Sequence, residues 1–280
     1  MLKEKAYAKI NLFLNVVNKR FDGYHDLEMV MASIDLFDVL SFKILESKNI
    51  EIETSKFITE NNKDNLVYKI ASYLQEEYSI DKGVYIKIDK NIPIAAGLAG
   101  GSADAAATLR GLNKLWKLNL SLEDLAKIGV KFGSDIPFCI YNKLCIARGR
   151  GEDLVFLDNK LNWPVILINP NKKVSTKEVF CKVKQEYIEE HKISDMTAGI
   201  YNKNLELVCR ELHNSLEAIA FEIEPSIKDI KQQLLRIGLE GVLMSGSGAT
   251  VFAISRDKNK IKYAMEVFSE KHFTKLTKIR

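Results

Sequence analysis

The chain has 280 residues, 46% of them hydrophobic, which suits one large domain or two of ordinary size around a substantial core. Lys and Arg number 41 against 37 Asp and Glu, and this formal +4 is scattered rather than gathered into a basic stripe, which argues against a nucleic-acid partner. No apolar run approaches the ~18 residues that would span a membrane, and four cysteines without a CxxC pair read as reduced thiols of a cytoplasmic protein.

Residues 6–16 alternate strictly, with Ala6, Ala8, Ile10, Leu12, Leu14 and Val16 on one face and Tyr7, Lys9, Asn11, Phe13 and Asn15 on the other. A period of two predicts a strand with one face in the core, and it points Lys9 and Asn11 the same way, roughly 6.5 Å apart. The polar residues also interrupt the apolar run that a secretory leader would need. After the turn signal Asp22-Gly23, short strands are expected near 26–33, 38–45 and 50–54. Asp64 reads as the N-cap of a helix carrying Leu66, Val67, Ile70, Ala71 and Leu74, and a strand follows through Val84, Ile86 and Ile88. An Ala-rich helix is expected over about 102–116, capped by Ser102, and Ser121 with Asp124 opens another. Strands are expected at 144–146 and 153–157, around the turn at Gly149-Arg150-Gly151, and at 163–168, ending before Pro170. Ser175 and Glu178 form a capping box for a helix to about 184; helices follow near 203–212 and 225–237 and from Asp257, with a last strand near 275–279. Strands and helices without regular alternation predict an α+β chain in two halves that meet near 158–162.

Three places can carry chemistry. From Pro93 to Asp104 a strand feeds a loop of small residues and then a helix start, where unpaired N–H groups and the helix dipole favour an anion. Glycines at 97, 100 and 101 let backbone approach phosphate oxygens, although the spacing is neither a Walker loop nor GxGxxG. A tight strand–helix connection is the purely structural alternative. The second place, Ser245-Gly246-Ser247-Gly248-Ala249, is either a hairpin turn or a second glycine turn over the same nucleotide. The third is the pair Lys9 and Asp135. Lys9 alone reads equally as an edge charge, and Asp135 as the cap of a helix with Pro137 in its first turn. Together they supply what phosphoryl transfer requires: positive charge near the moving group, and a carboxylate to orient or deprotonate a hydroxyl.

Ala8-Lys9-Ile10-Asn11-Leu12, the Pro93–Ala103 loop and Ser245–Ala249 stand in the order of the three motifs of the GHMP kinase superfamily, which this chain resembles. Asp22-Gly23-Tyr24-His25, Gly133-Ser134-Asp135-Ile136-Pro137-Phe138 and Ala147-Arg148-Gly149-Arg150-Gly151-Glu152 are similar to one branch of it. That branch phosphorylates 4-diphosphocytidyl-2-C-methyl-D-erythritol in non-mevalonate isoprenoid biosynthesis. The likeness runs from residue 5 to about 254. It implies a two-domain GHMP kinase fold: an N-terminal domain over 1–158 resembling the second domain of ribosomal protein S5, and a ferredoxin-like C-terminal domain over 159–280. It further implies transfer of the γ-phosphoryl of ATP to the 2-hydroxyl of that substrate, with Mg²⁺ as cofactor and no residue assigned to hold it. Carried over residue by residue, Lys9 and Asp135 are the catalytic pair. Pro93, Ile94, Ala95, Ala96, Gly97, Leu98, Ala99, Gly100, Gly101, Ser102 and Ala103 bind the ATP phosphates. Tyr24 and Phe180 would enclose the cytosine with His25 on its hydrogen-bonding edge, while Asn11 and Thr176 hold the substrate. Ala95, Ala96 and Ala99 stand where relatives often have glycine, predicting a stiffer loop. The competing readings are a homoserine or mevalonate-type kinase, which lacks the Asp-Gly-Tyr-His element, an inactive nucleotide-binding relative, and an S5-like RNA-binding module. The assembly is expected to be a monomer or homodimer.

Overall fold

The alternation at the N-terminus does make a strand, β1 (Leu2–Lys19), but its period does not separate core from solvent. Every residue from Ala8 to Val16 is buried, so the polar face with Lys9, Asn11 and Asn15 is interior too. The computed structural model describes residues 1–184 and 191–280. The segments expected at 26–33 and 38–45 are one strand, β2 (His25–Leu45), followed by β3 (Ile50–Thr54). No glycine or proline interrupts β2, and two different partners pair with its successive parts.

The chain continues through α1 (Leu66–Glu77), β4 (Gly83–Asp89), α2 (Gly100–Leu115), α3 (Leu122–Gly129) and α4 (Ile136–Tyr141). Next come β5 (Cys145–Arg148), β6 (Asp153–Phe156), β7 (Pro164–Asn169), α5 (Thr176–Cys181), α6 (Ile193–Tyr201), α7 (Leu205–Arg210) and β8 (His213–Asn214). It closes with α8 (Glu217–Ile223), α9 (Ser226–Arg236), β9 (Gly241–Met244), β10 (Val251–Ile254), α10 (Lys258–Phe268) and β11 (Phe273–Lys278). This is the α+β composition expected. Neither α6 nor α8 had a sequence signal. Both are short, and neither has a side-chain N-cap to announce it.

Two compact units divide the chain, and neither is continuous in sequence. The first comprises Met1–Ala8, Leu36–Ile94 and Ala99–Asn142. In it β4 pairs antiparallel with β2, from Val39 opposite Asp89 to Leu45 opposite Gly83, and parallel with β3. The helix α1 buries Val67, Ile70, Ala71 and Leu74. Its cap is Asn65, whose side chain accepts from the Val67 N–H, not Asp64, which ends a 3₁₀ turn. The alanines of α2 allow close packing. A Cβ on Gly111 would stand 2.5 Å from the Phe42 ring. The capping box of Ser121 and Asp124 forms as expected at α3.

The second unit comprises Lys9–Asp35, Ala95–Leu98 and Lys143–Arg280. There β5 pairs with β2 at Met29–Met31, β6 pairs with β5, and β8 runs parallel to β1 with Phe13 opposite His213. A separate antiparallel sheet has the order β11-β7-β10-β9. All residues of β9 and β10 are buried, and Val165–Asn169 of β7 with them, so continuous apolar runs here mean a strand covered on both faces.

Candidate active site

In the second unit, Lys9 and Asn11 share one face of β1 as the period predicts, and Lys9 Nζ donates to Asn11 Oδ1 at 2.7 Å. Lys9 is a buried cation, only 5% exposed, which excludes the edge-charge reading. The loop residues 95–98 dock on its strand: the Lys9 N–H donates to the Leu98 carbonyl at 3.1 Å. The same loop is held from its other side, because Ser245 Oγ donates to the Gly97 carbonyl at 2.9 Å and the Thr250 N–H to that of Ala96. Gly97 has φ +74°, and a Cβ on it would stand 2.1 Å from the Ser245 carbonyl oxygen. Only glycine fits.

Ser245–Thr250 is both things its sequence allowed. It is the turn between β9 and β10, with the Ser245 N–H donating to Thr250, and it also packs on the first glycine loop. A Cβ on Gly246 would lie 3.1 Å from the Gly97 carbonyl and 3.3 Å from Lys9 Nζ. The second glycine segment therefore lies against the Lys9 ammonium, and residues 95–98 of the first against the Lys9 backbone. Asn214, which no local pattern marked, pins this turn. Its Nδ2 donates to the carbonyls of Met244 and Gly246, at 2.9 and 2.8 Å. Thr176, first residue of α5, shares a 2.8 Å hydroxyl contact with Ser247.

The Asp-Gly-Tyr-His element is a braced turn. Arg20 bonds Asp22 and Asp26, and Asp22 accepts from the Tyr24 N–H. The Tyr24 ring is largely exposed, with the Arg150 guanidinium 5.0 Å from its centroid. The sequence marks Arg150 only as part of a turn and a motif, without a role; Glu152 accepts from its backbone N–H. His25 is buried with its ring 5.6 Å from that of Phe180, and its Nε2 has no partner. Burial, and then the charge of Lys19, push His25 below its ordinary pKa and favour the neutral imidazole. A buried, unpaired ring nitrogen beside exposed aromatic surface suits the edge and face of a base.

In the first unit, α2 begins at Gly100 behind Ala99, whose φ of 56° makes it a left-handed cap; Ser102 lies inside the first turn and is not the cap. The N–H groups of Gly100, Gly101 and Ser102 precede the first intrahelical donor, Ala103, whose N–H bonds the Ala99 carbonyl, as an anion site requires. Ala95 and Ala99 hold left-handed φ values of 52° and 56°, a conformation that costs an alanine about 1–2 kcal/mol. Asp135 is the N-cap residue of α4 with Pro137 just inside, yet its side chain makes no capping hydrogen bond. The capping explanation for this carboxylate is thereby removed. Cys139, Cys145, Cys181 and Cys209 are not joined in disulfides, and the first two are buried.

Two family models match the chain, GHMP kinases N terminal domain over residues 65–143 and GHMP kinases C terminal over 196–272. The 4-diphosphocytidyl-2-C-methyl-D-erythritol kinase of Bacillus subtilis is 44% identical over 92% of this chain and 90% of its own length. That of Exiguobacterium sibiricum is 46% identical over 91% and 90%. A crystal structure of 4-(cytidine 5'-diphospho)-2C-methyl-D-erythritol kinase superposes with a TM-score of 0.85 at 30% identity, covering 99% of both chains. Mevalonate kinase from L. major superposes at 0.76 with 17% identity, a likeness of fold alone. With the motifs in order, the glycine segments gathered at Lys9 and this degree of identity, the chain belongs to the 4-diphosphocytidyl-2-C-methyl-D-erythritol kinase family of the GHMP kinases.

Proposed function

We propose that this chain transfers the γ-phosphoryl group of ATP to the 2-hydroxyl of 4-diphosphocytidyl-2-C-methyl-D-erythritol. The observation that carries the reading is the buried Lys9 ammonium, set 2.7 Å from Asn11 and against the Gly246 turn in a chain 44% identical to such a kinase. In the proposed chemistry, the substrate oxygen attacks the γ-phosphorus as Asp135 takes its proton; the bond to the β-bridging oxygen breaks, and ADP leaves. Lys9 stabilises the charge on the moving phosphoryl, and residues 93–103 hold the phosphates through backbone N–H groups. Tyr24 and Phe180 would cover the faces of the cytosine, His25 Nε2 would meet its edge, and Asn11 and Thr176 would hold the remainder of the substrate.

No group of three or more His, Cys, Asp or Glu side chains converges among the described residues. We take Mg²⁺ to arrive with ATP, held mainly by phosphate oxygens and water. We further propose family domains over 1–158 and 159–280; the two family models fall one on each side of that boundary. No helix among the described residues is long and apolar enough to cross a membrane, and cysteines outside disulfides suit the cytoplasm.

Incubation with Mg·ATP and the diphosphocytidyl alcohol should release ADP, with homoserine and mevalonate inert. Phosphorylation of either of those instead would overturn the reading.

A further inference from the structure

Just past the end of β4, Lys90 turns into the interior of the first unit. Its ammonium donates to Asp38 Oδ2 at 2.5 Å and to Asp104 Oδ2 at 2.7 Å. The three side chains are 3%, 0% and 4% exposed. Asp38 Oδ1 accepts from the N–H groups of Asn91 and Ile92, which lead into Pro93. Asp104 Oδ1, by contrast, has no partner. A Cβ on Gly100 would stand 3.5 Å from Lys90 Nζ, so the ammonium lies directly behind the first residue of α2.

A structural clip for one ammonium needs one carboxylate, and Asp38 already provides it together with two backbone bonds. The second carboxylate makes the buried cluster net negative behind N–H groups suited to an anion. Buried charge is weakly screened, so this excess opposes a polyphosphate at the helix start. We propose that Asp104 tunes the nucleotide affinity of the α2 loop, weakening the hold on ATP as a carboxylate and strengthening it when neutral. The proposal rests on the assignment of the ATP phosphates to residues 93–103. Neutralising Asp104 leaves Lys90 bound to Asp38, so the loop keeps its path while the opposing charge disappears. Its own proton affinity makes this accessible: burial most of all, with Asp38 adding and Lys90 opposing, pushes the Asp104 carboxyl up to about 7. Those are the two charged groups that act on it. ATP binding then draws a proton from solvent onto Asp104.

The test is calorimetric titration of the full chain with ATP. At pH 8.5, Asp104→Asn should bind ATP tighter by on the order of fivefold. Wild-type affinity should fall from pH 7 to pH 9, whereas that of the variant stays flat. Equal or weaker binding by the variant overturns the proposal, since a merely structural role cannot tighten ATP binding. If the variant does not fold, the wild-type series decides: affinity that is constant or rises with pH overturns it. No ATP binding by wild type at any pH would overturn the kinase reading and this inference with it, whereas normal binding without the Asp104 effect sinks the inference alone.

Discussion

Asp135 stands where an aspartate would ordinarily cap a helix, and it does not cap. In the proposed reaction it is the proton acceptor. Asp135→Asn keeps the shape and removes the basicity, so kcat should fall by at least about 100-fold with the fold intact by circular dichroism. Tyr24 offers an exposed ring with the Arg150 guanidinium 5.0 Å from its centroid. Tyr24→Leu should raise KM for the diphosphocytidyl substrate about tenfold and leave KM for ATP nearly unchanged, because a stacked aromatic face contributes on the order of 1–3 kcal/mol. An equal rise in both constants would contradict the stacking role. At this scale the sequence was most informative through its resemblance: Lys9, Asn11, Tyr24, His25 and Asp135 could be named from motifs. Arg150 and Asn214 could not be given a role, since their use depends on partners far along the chain.

Between elements, the β9–β10 turn and the loop before α2 behave as one assembly in the second unit over residues 95–98. Gly97 is the tightest point, where an added methyl meets backbone and not a movable side chain. Gly97→Ala must therefore displace one segment, and we expect destabilisation of about 2 kcal/mol or more together with loss of ATP binding, read by thermal melting and titration. Asn214→Ala leaves two buried carbonyls without a donor and should cost about 2–3 kcal/mol in a denaturant melt, with a smaller effect on kcat. Local signals located these elements well where they were local. The Ser121–Asp124 box, the Asp257 cap and the alternation in β1 and β4 all follow from neighbours in sequence. The misplacements have the opposite origin. Asn65 replaced Asp64 as cap, and β2 ran on through Asp35 as a continuous neighbour of β1 in the sheet, a partner its own pattern does not specify.

For the molecule as a whole, Asp104 also makes stability depend on pH. Its carboxyl is raised from 3.8 to about 7, so across that interval the native chain holds a proton that the unfolded chain releases. The contribution is complete below about pH 4 and is lost as pH rises through about 7. Wild type should therefore lose more Tm between pH 5 and pH 8 than Asp104→Asn does, and parallel losses in the two proteins would refute this. From sequence alone came the α+β class, the order of most elements, the family and the residues of its motifs. Periodicity and capping act over a few neighbouring residues, and a motif keeps its residues together. Tertiary structure alone decided that the polar face of β1 is interior, that two glycine segments close on Lys9, and that one lysine is shared by Asp38 and Asp104. Those facts depend on side chains brought together from distant parts of the chain, where burial and charge act through space and not along it.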